Sequence, residues 1–83
     1  MTDDTPAPLG EARFVDATGL TCPQPVHELA AAIEEVATGA RVVLASSDPT
    51  SRVDVPVWCR LRRHRLHRVE DRGDAWWFHV ERR

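Results

Sequence analysis

The sequence predicts a two-layer α/β sandwich with element order βαβαββ: a mixed four-stranded sheet, the last strand antiparallel, with two helices on one face. Three observations carry the prediction. Apolar residues recur at helical spacing from Gln24 to Ala37. A short unbroken apolar run, Val42-Val43-Leu44, follows and has the length and β-branching of a buried strand. Near the C-terminus Trp76, Phe78 and Val80 alternate with Trp77, His79 and Glu81, the two-residue period of a strand with distinct faces.

Taken in order, Arg13 to Ala17 suits a first strand, closed by Thr18-Gly19. The first helix, Gln24 to Ala37, places Val26, Leu29, Ala30, Ile33, Val36 and Ala37 on one face, and Gly39 supplies its stop. The second strand is Arg41 to Ser46. Asp48-Pro49 reads as the next helix start, Asp48 as cap and Pro49 at the first helical position, with Ser51 and Asp54 as a competing capping box. That helix runs to about Arg63 through Val53, Val57, Trp58 and Leu61, and Pro56 inside it is expected to remove a hydrogen bond and bend it. Leu66 to Glu70 and Ala75 to Glu81 are the final strands, joined by a turn at Asp71-Arg72-Gly73-Asp74. Right-handed crossovers make the first three strands parallel in direction. Cys22, Asp48-Pro49 and Gly73 then share one pole, and the end of the second helix shares the other with Arg82 and Arg83.

The chain has 83 residues, room for one small domain over 12–83 that buries ~60–65% of the surface its unfolded chain exposes. Residues 1–11 are polar and acidic, carry Pro6 and Pro8, and read as a disordered tail rather than a secretory signal. Two cysteines without such a signal point to a reducing cytoplasm, not a disulfide framework. Net charge is −2, yet the chain is lopsided: residues 55–83 hold eight Arg against four acids. No run reaches transmembrane length.

The sharpest chemical feature is Cys22-Pro23-Gln24-Pro25. A residue before proline is pushed toward extended backbone, the state of a helix cap, and Pro23 and Pro25 then occupy a first turn in which the missing N–H groups cost nothing. The expectation is that Cys22 caps the first helix with the Gln24 N–H free beside its sulfur, so that the helix's positive end lowers the thiol pKa. A buried structural cysteine is the plain alternative.

Asp16-x-x-Gly19-x-x-Cys22-Pro23-x-Pro25 resembles the signature of the TusA/SirA sulfur-carrier family. Asp48-Pro49 followed by Asp54-Val55-Pro56-x-Trp58-Cys59 resembles that family's second-helix motif at matching spacing, and His64 and Gly73 fall where members tend to have His and Gly. The resemblance spans roughly Phe14 to Arg82. It implies the βαβαββ fold and a sulfurtransferase-type carrier that accepts sulfane sulfur from a cysteine desulfurase or rhodanese as a persulfide on Cys22. The sulfur then passes to an acceptor protein, as in tRNA thiolation, molybdenum-cofactor assembly or sulfur oxidation. No cofactor is expected, and no C-x-x-C or H-x-x-x-H spacing supports a metal site. The chain departs from the family at His27-Glu28-Leu29-Ala30-Ala31, where members often carry Lys or Arg.

The remaining residues have plainer readings. Cys59 lies about eight residues into its helix, on the order of 12 Å along the axis from the helix start, too far for a disulfide with Cys22, and is expected in the core beside Trp58 and Leu61. The four histidines lack metal-ligand spacing, and His27 stands out only for lying near Cys22. Arg60, Arg62, Arg63, Arg65 and Arg68 make a basic cluster that a helix C-terminus favours on its own. Of Trp76 and Trp77, one fills the core and the other covers the open sheet face. A monomeric carrier acting through Cys22, with partners docking around His27, Asp48-Pro49 and Arg72-Gly73, is the leading reading. A non-catalytic module binding RNA or protein on the same fold is the alternative.

Overall fold

The computed structural model describes residues 12–83; the expected N-terminal tail, 1–11, lies outside the described residues. The elements are β1 (Ala12–Asp16), α1 (Gln24–Glu34), β2 (Arg41–Ser46), α2 (Ser51–Arg62), β3 (Arg65–Asp71) and β4 (Trp76–Glu81). Their order is the βαβαββ of the sequence reading. The sheet runs β1-β2-β4-β3, with β1 and β2 parallel and β4 antiparallel to both β2 and β3. Strands β1, β2 and β3 therefore point one way and β4 the other. The β3–β4 ladder shifts register between Leu66 and Arg68.

The core lies between sheet and helices. Val42 and Leu44 of β2 and Phe78 and Val80 of β4 meet Leu29 and Ile33 of α1 and Val55 and Cys59 of α2, all buried. Alternation explains the strand contributions: Val42 pairs with Val80 and Leu44 with Phe78 on one face, while Val43 pairs with His79 and Ala45 with Trp77 on the other. Trp76 packs against the core. Trp77 covers the opposite sheet face, its ring centroid 4.8 Å from that of Phe14 and the Arg72 guanidinium 4.0 Å above it. One tryptophan fills the core and the other roofs the open face, as expected.

The helices correct the sequence reading in three places. α1 stops at Glu34, not Ala37: the Arg82 guanidinium donates to the carbonyls of Ile33 at 3.0 Å and Val36 at 2.7 Å, so a distant side chain takes over the helix's orphan acceptors. α2 buries Ser51, Val55 and Cys59, whereas Val53, Val57 and Leu61 are exposed. The helix is rotated relative to the expected apolar face, and Leu61 does not pack on Cys59. Its start is also different. Asp48 Oδ1 accepts the Thr50 N–H at 2.9 Å, turning the chain ahead of the helix, and the cap residue is Thr50 with no side-chain cap bond. The Ser51–Asp54 capping box does not form, because the Ser51 side chain is used elsewhere.

Candidate functional site

Two loops meet at the C-terminal ends of β1 and β2. After β1, Asp16 Oδ1 accepts from the Thr18 N–H at 3.0 Å and the Thr18 hydroxyl at 2.6 Å, which bends the chain out of the sheet. Gly19 follows at φ +85°, a left-handed conformation where a side chain would be strained, and its N–H reaches Ser47 Oγ at 2.9 Å. Asp16 and Gly19 therefore shape the approach to Cys22 and tie it to the end of β2.

Cys22 does not cap α1. The Gln24 N–H donates to the Thr21 carbonyl at 2.9 Å, closing a turn that contains Cys22 and Pro23, and the cap residue is Pro23. The donor expected to lie free beside the sulfur is occupied. The Cys22–Pro23 peptide is cis. Pro25 is buried in the first turn of α1, while Pro23, Gln24 and His27 are exposed.

Cys22 belongs instead to the start of α2. Its N–H donates to Asp48 Oδ2 at 2.8 Å, and its Sγ lies 3.2 Å from Ser51 Oγ. Ser51 Oγ is in turn 2.6 Å from Ser46 Oγ, which accepts the Asp48 N–H at 3.3 Å. Ser46 and Ser51 are both 0% exposed. Cys22 is half-buried. The sequence reading missed both serines as site residues. Their trace was Ser46 at the end of an apolar strand, since a buried hydroxyl must find a partner.

The electrostatics also differ from expectation. The Cys22 thiol is shifted up, not down: burial is the main cause, and Asp54, as hydrogen-bond acceptor and as charge, and the Asp48 charge add to it, while the Ser51 hydrogen bond works the other way. The resting sulfur is therefore a neutral thiol at neutral pH. Asp48 is held below the usual carboxylate range by the N–H groups of Cys22 and Thr50, so its charge beside the thiol persists.

The other residues fall as follows. Pro49, Arg72 and Gly73 are exposed and Asp48 is half-buried. Arg72 and Asp74 line a cleft together with Asp16, Thr18 and Trp77, so the β3–β4 turn does lie at the Cys22 pole. Cys59 is 2% exposed, and burial pushes its thiol up to about 11. At the far pole Arg60, Arg63, His64, Arg65 and Arg83 line a second cleft of about 380 Å³.

The architecture is thus a small two-layer sandwich that buries one thiol and leaves the other half-buried and polar-contacted at a loop junction. The sequence model of the family described as Sulfurtransferase TusA matches residues 13–82, and the chain belongs to that family. It is 30% identical over 83 residues to a sulfur carrier protein TusA of Pseudomonas putida, covering 100% of this chain and 98% of that protein. Another Pseudomonas putida TusA is 38% identical over 74 residues, covering 88% and 86% of the two chains. A putative sulfur carrier protein of Archaeoglobus fulgidus is 37% identical over 62 residues, covering 75% and 85%.

Proposed function

We propose that this chain is a sulfur carrier that takes sulfane sulfur from a donor protein as a persulfide on Cys22 and passes it to an acceptor protein. The observation that supports this best is Cys22 itself: half-buried, and in contact with the Ser51 hydroxyl. The names of its relatives point the same way. In loading, the Cys22 thiolate attacks the outer sulfur of a donor cysteine persulfide. A new S–S bond forms at Cys22, the donor S–S bond breaks, and the donor sulfur leaves as a thiolate. Unloading reverses the roles, with an acceptor thiolate attacking the outer sulfur and Cys22 leaving.

A cysteine desulfurase or a rhodanese fits the donor role. A donor thiol must come within bonding distance of Cys22, so its footprint centres on the exposed Gln24, His27 and Pro49, on Asp48, and on the Arg72-Gly73 turn. The reaction takes place in a reducing compartment such as the cytoplasm, where Cys22 stays free. No helix among the described residues is long and apolar enough to cross a membrane. Incubation with a cysteine desulfurase and cysteine, read by intact mass, should add one sulfur atom. Cys22→Ser should abolish the adduct and Cys59→Ser should keep it. An adduct that persists in Cys22→Ser would remove Cys22 from the role.

A further inference from the structure

We propose that Ser51 is a catalytic residue of sulfur transfer, its hydroxyl held by Ser46 so that it donates a hydrogen bond to the Cys22 sulfur whenever that sulfur carries negative charge. The inference rests on the carrier reading of Cys22 and names the group that makes its sulfur a usable nucleophile and leaving group.

Each serine hydroxyl has one proton to donate. Ser46 Oγ accepts the Asp48 N–H at 3.3 Å and lies 2.6 Å from Ser51 Oγ; Ser51 Oγ lies 3.2 Å from Cys22 Sγ. A sulfur anion can only accept, so in the charged state the Ser51 proton points at sulfur. Ser51 then accepts the Ser46 proton, and Ser46 is satisfied by the backbone N–H behind it. This is the one arrangement in which both fully buried hydroxyls and the anion are all paired, and it uses no proton from outside. The chain starts from a backbone amide that cannot titrate. It gives the sulfur a donor at every pH.

The charged groups facing the sulfur make that donor necessary. Burial opposes a negative charge at Cys22 most, and Asp54 and Asp48 add to it; Ser51 is the group that works against them. In loading, negative charge leaves Cys22 Sγ as the new S–S bond forms. In unloading it returns to Sγ as that bond breaks. One hydroxyl serves the attacking thiolate in the first step and the leaving thiolate in the second.

The test is the rate of Cys22 alkylation by iodoacetamide against pH, followed on the Cys22 peptide so that Cys59 does not contribute. Loss of a hydrogen bond to an anion should raise the midpoint in Ser51→Ala by about one pH unit. Intrinsic thiolate reactivity rises with pKa with a slope of about one half. Ser51→Ala should therefore react about threefold more slowly at pH 7 and about threefold faster on the alkaline plateau, so the two profiles cross. Ser51→Thr keeps the hydroxyl and should hold the parent midpoint. Ser46→Ala removes the support and should shift the midpoint the same way by less, which decides the matter even if Ser51→Ala fails to fold. An unmoved midpoint, or a loss by the same factor at every pH, would reduce Ser51 to a structural residue. If no donor loads Cys22 the carrier reading falls, whereas the alkylation profile still decides the part Ser51 plays.

Discussion

The two ends of α2 each hold a sulfur, and they treat it in opposite ways. At the start, Ser51 turns a buried hydroxyl toward Cys22, and Asp48 holds the Cys22 backbone. Two turns on, Cys59 sits among Val55, Leu29 and Ile33 in the core, with arginines on the helix surface outside it. Burial raises both thiols, but only Cys22 has a hydroxyl that works against the rise. Burial without a donor silences a thiol; partial burial with one leaves it addressable. A cysteine's position on a helix thus says less about its chemistry than the polar atoms within reach of its sulfur.

The largest expected difference between the two ends is in reactivity. With its thiol at about 11 and 2% exposure, Cys59 presents almost no accessible thiolate at pH 8. Native-state alkylation should label Cys22 at least about 100-fold faster than Cys59, as peptide mass spectrometry would show. Comparable labelling would mean that the core around Cys59 opens readily. The next largest effect is on stability. A thiol whose folded pKa lies above its unfolded value of 9.0 stabilises the fold fully below pH 9, and that contribution is lost as pH rises toward about 11. Roughly 2–3 kcal/mol should disappear across that window. Cys22 adds to the loss in the same direction, so the informative quantity is the alkaline slope of the urea midpoint, which should flatten in Cys59→Ala. An equal slope in both proteins would contradict the buried environment assigned to Cys59.

The same contrast explains what was legible in the sequence. Local signals located all six elements, periodicity for α1 and β4, an apolar run for β2, and caps and turns for the rest: β2 begins and ends at the residues expected, and Trp76 and Trp77 divide between the faces as alternation requires. Cys59 was placed in the core by its distance from Cys22 along the helix, not by the helix's apolar pattern, and it is buried. The end of α1 was not legible, because its capping group is Arg82, brought in from the far end of the chain by the sheet. The buried face of α2 was misread because its solvent side is itself apolar, through Val53, Val57 and Leu61, while Ser51 belongs to the inner face. The Cys22 environment depends on a loop after β1 meeting the junction of β2 and α2. Local rules for Cys-Pro therefore assigned the sulfur to the wrong helix.

Asp54 offers a smaller and more local way to sharpen the comparison. It raises the Cys22 thiol both as acceptor and as charge, so Asp54→Asn should lower the alkylation midpoint. At pH 7 the reaction should be about two- to threefold faster, the gain in thiolate being partly offset by its lower nucleophilicity. Loss of an acid from the first turn of α2 should cost about 0.3–1 kcal/mol of stability, measurable in urea. A slower reaction at pH 7 would mean that Asp54 assists the thiol as a proton acceptor instead of restraining it.

The smallest effect on sulfur transfer is expected from the arginine pole, and it tests whether the two ends of α2 work independently. Arg60 and Arg62 lie in the last turn, Arg63 follows at φ +64°, and Arg65 opens β3. None of these four is paired with a carboxylate among the described residues. Cations suit a helix C-terminus, and Arg63 caps that end in a left-handed conformation that Asn tolerates. The combined variant Arg62→Gln, Arg63→Asn, Arg65→Gln should therefore stay folded and lose about 1 kcal/mol or less per site. A donor's persulfide has to reach Cys22 at the far end of α2, so loading should stay within about threefold of the parent. Anisotropy with a single-stranded RNA probe gives the second reading of this pole its chance. If the arginines bind phosphates, affinity should fall in the variant and the dependence on salt should become shallower. Should sulfur loading collapse while Cys22 alkylation remains normal, the donor must grip the arginine pole as well. The two ends of α2 would then form one interface, and the donor footprint placed around Gln24, His27 and Pro49 would be too small.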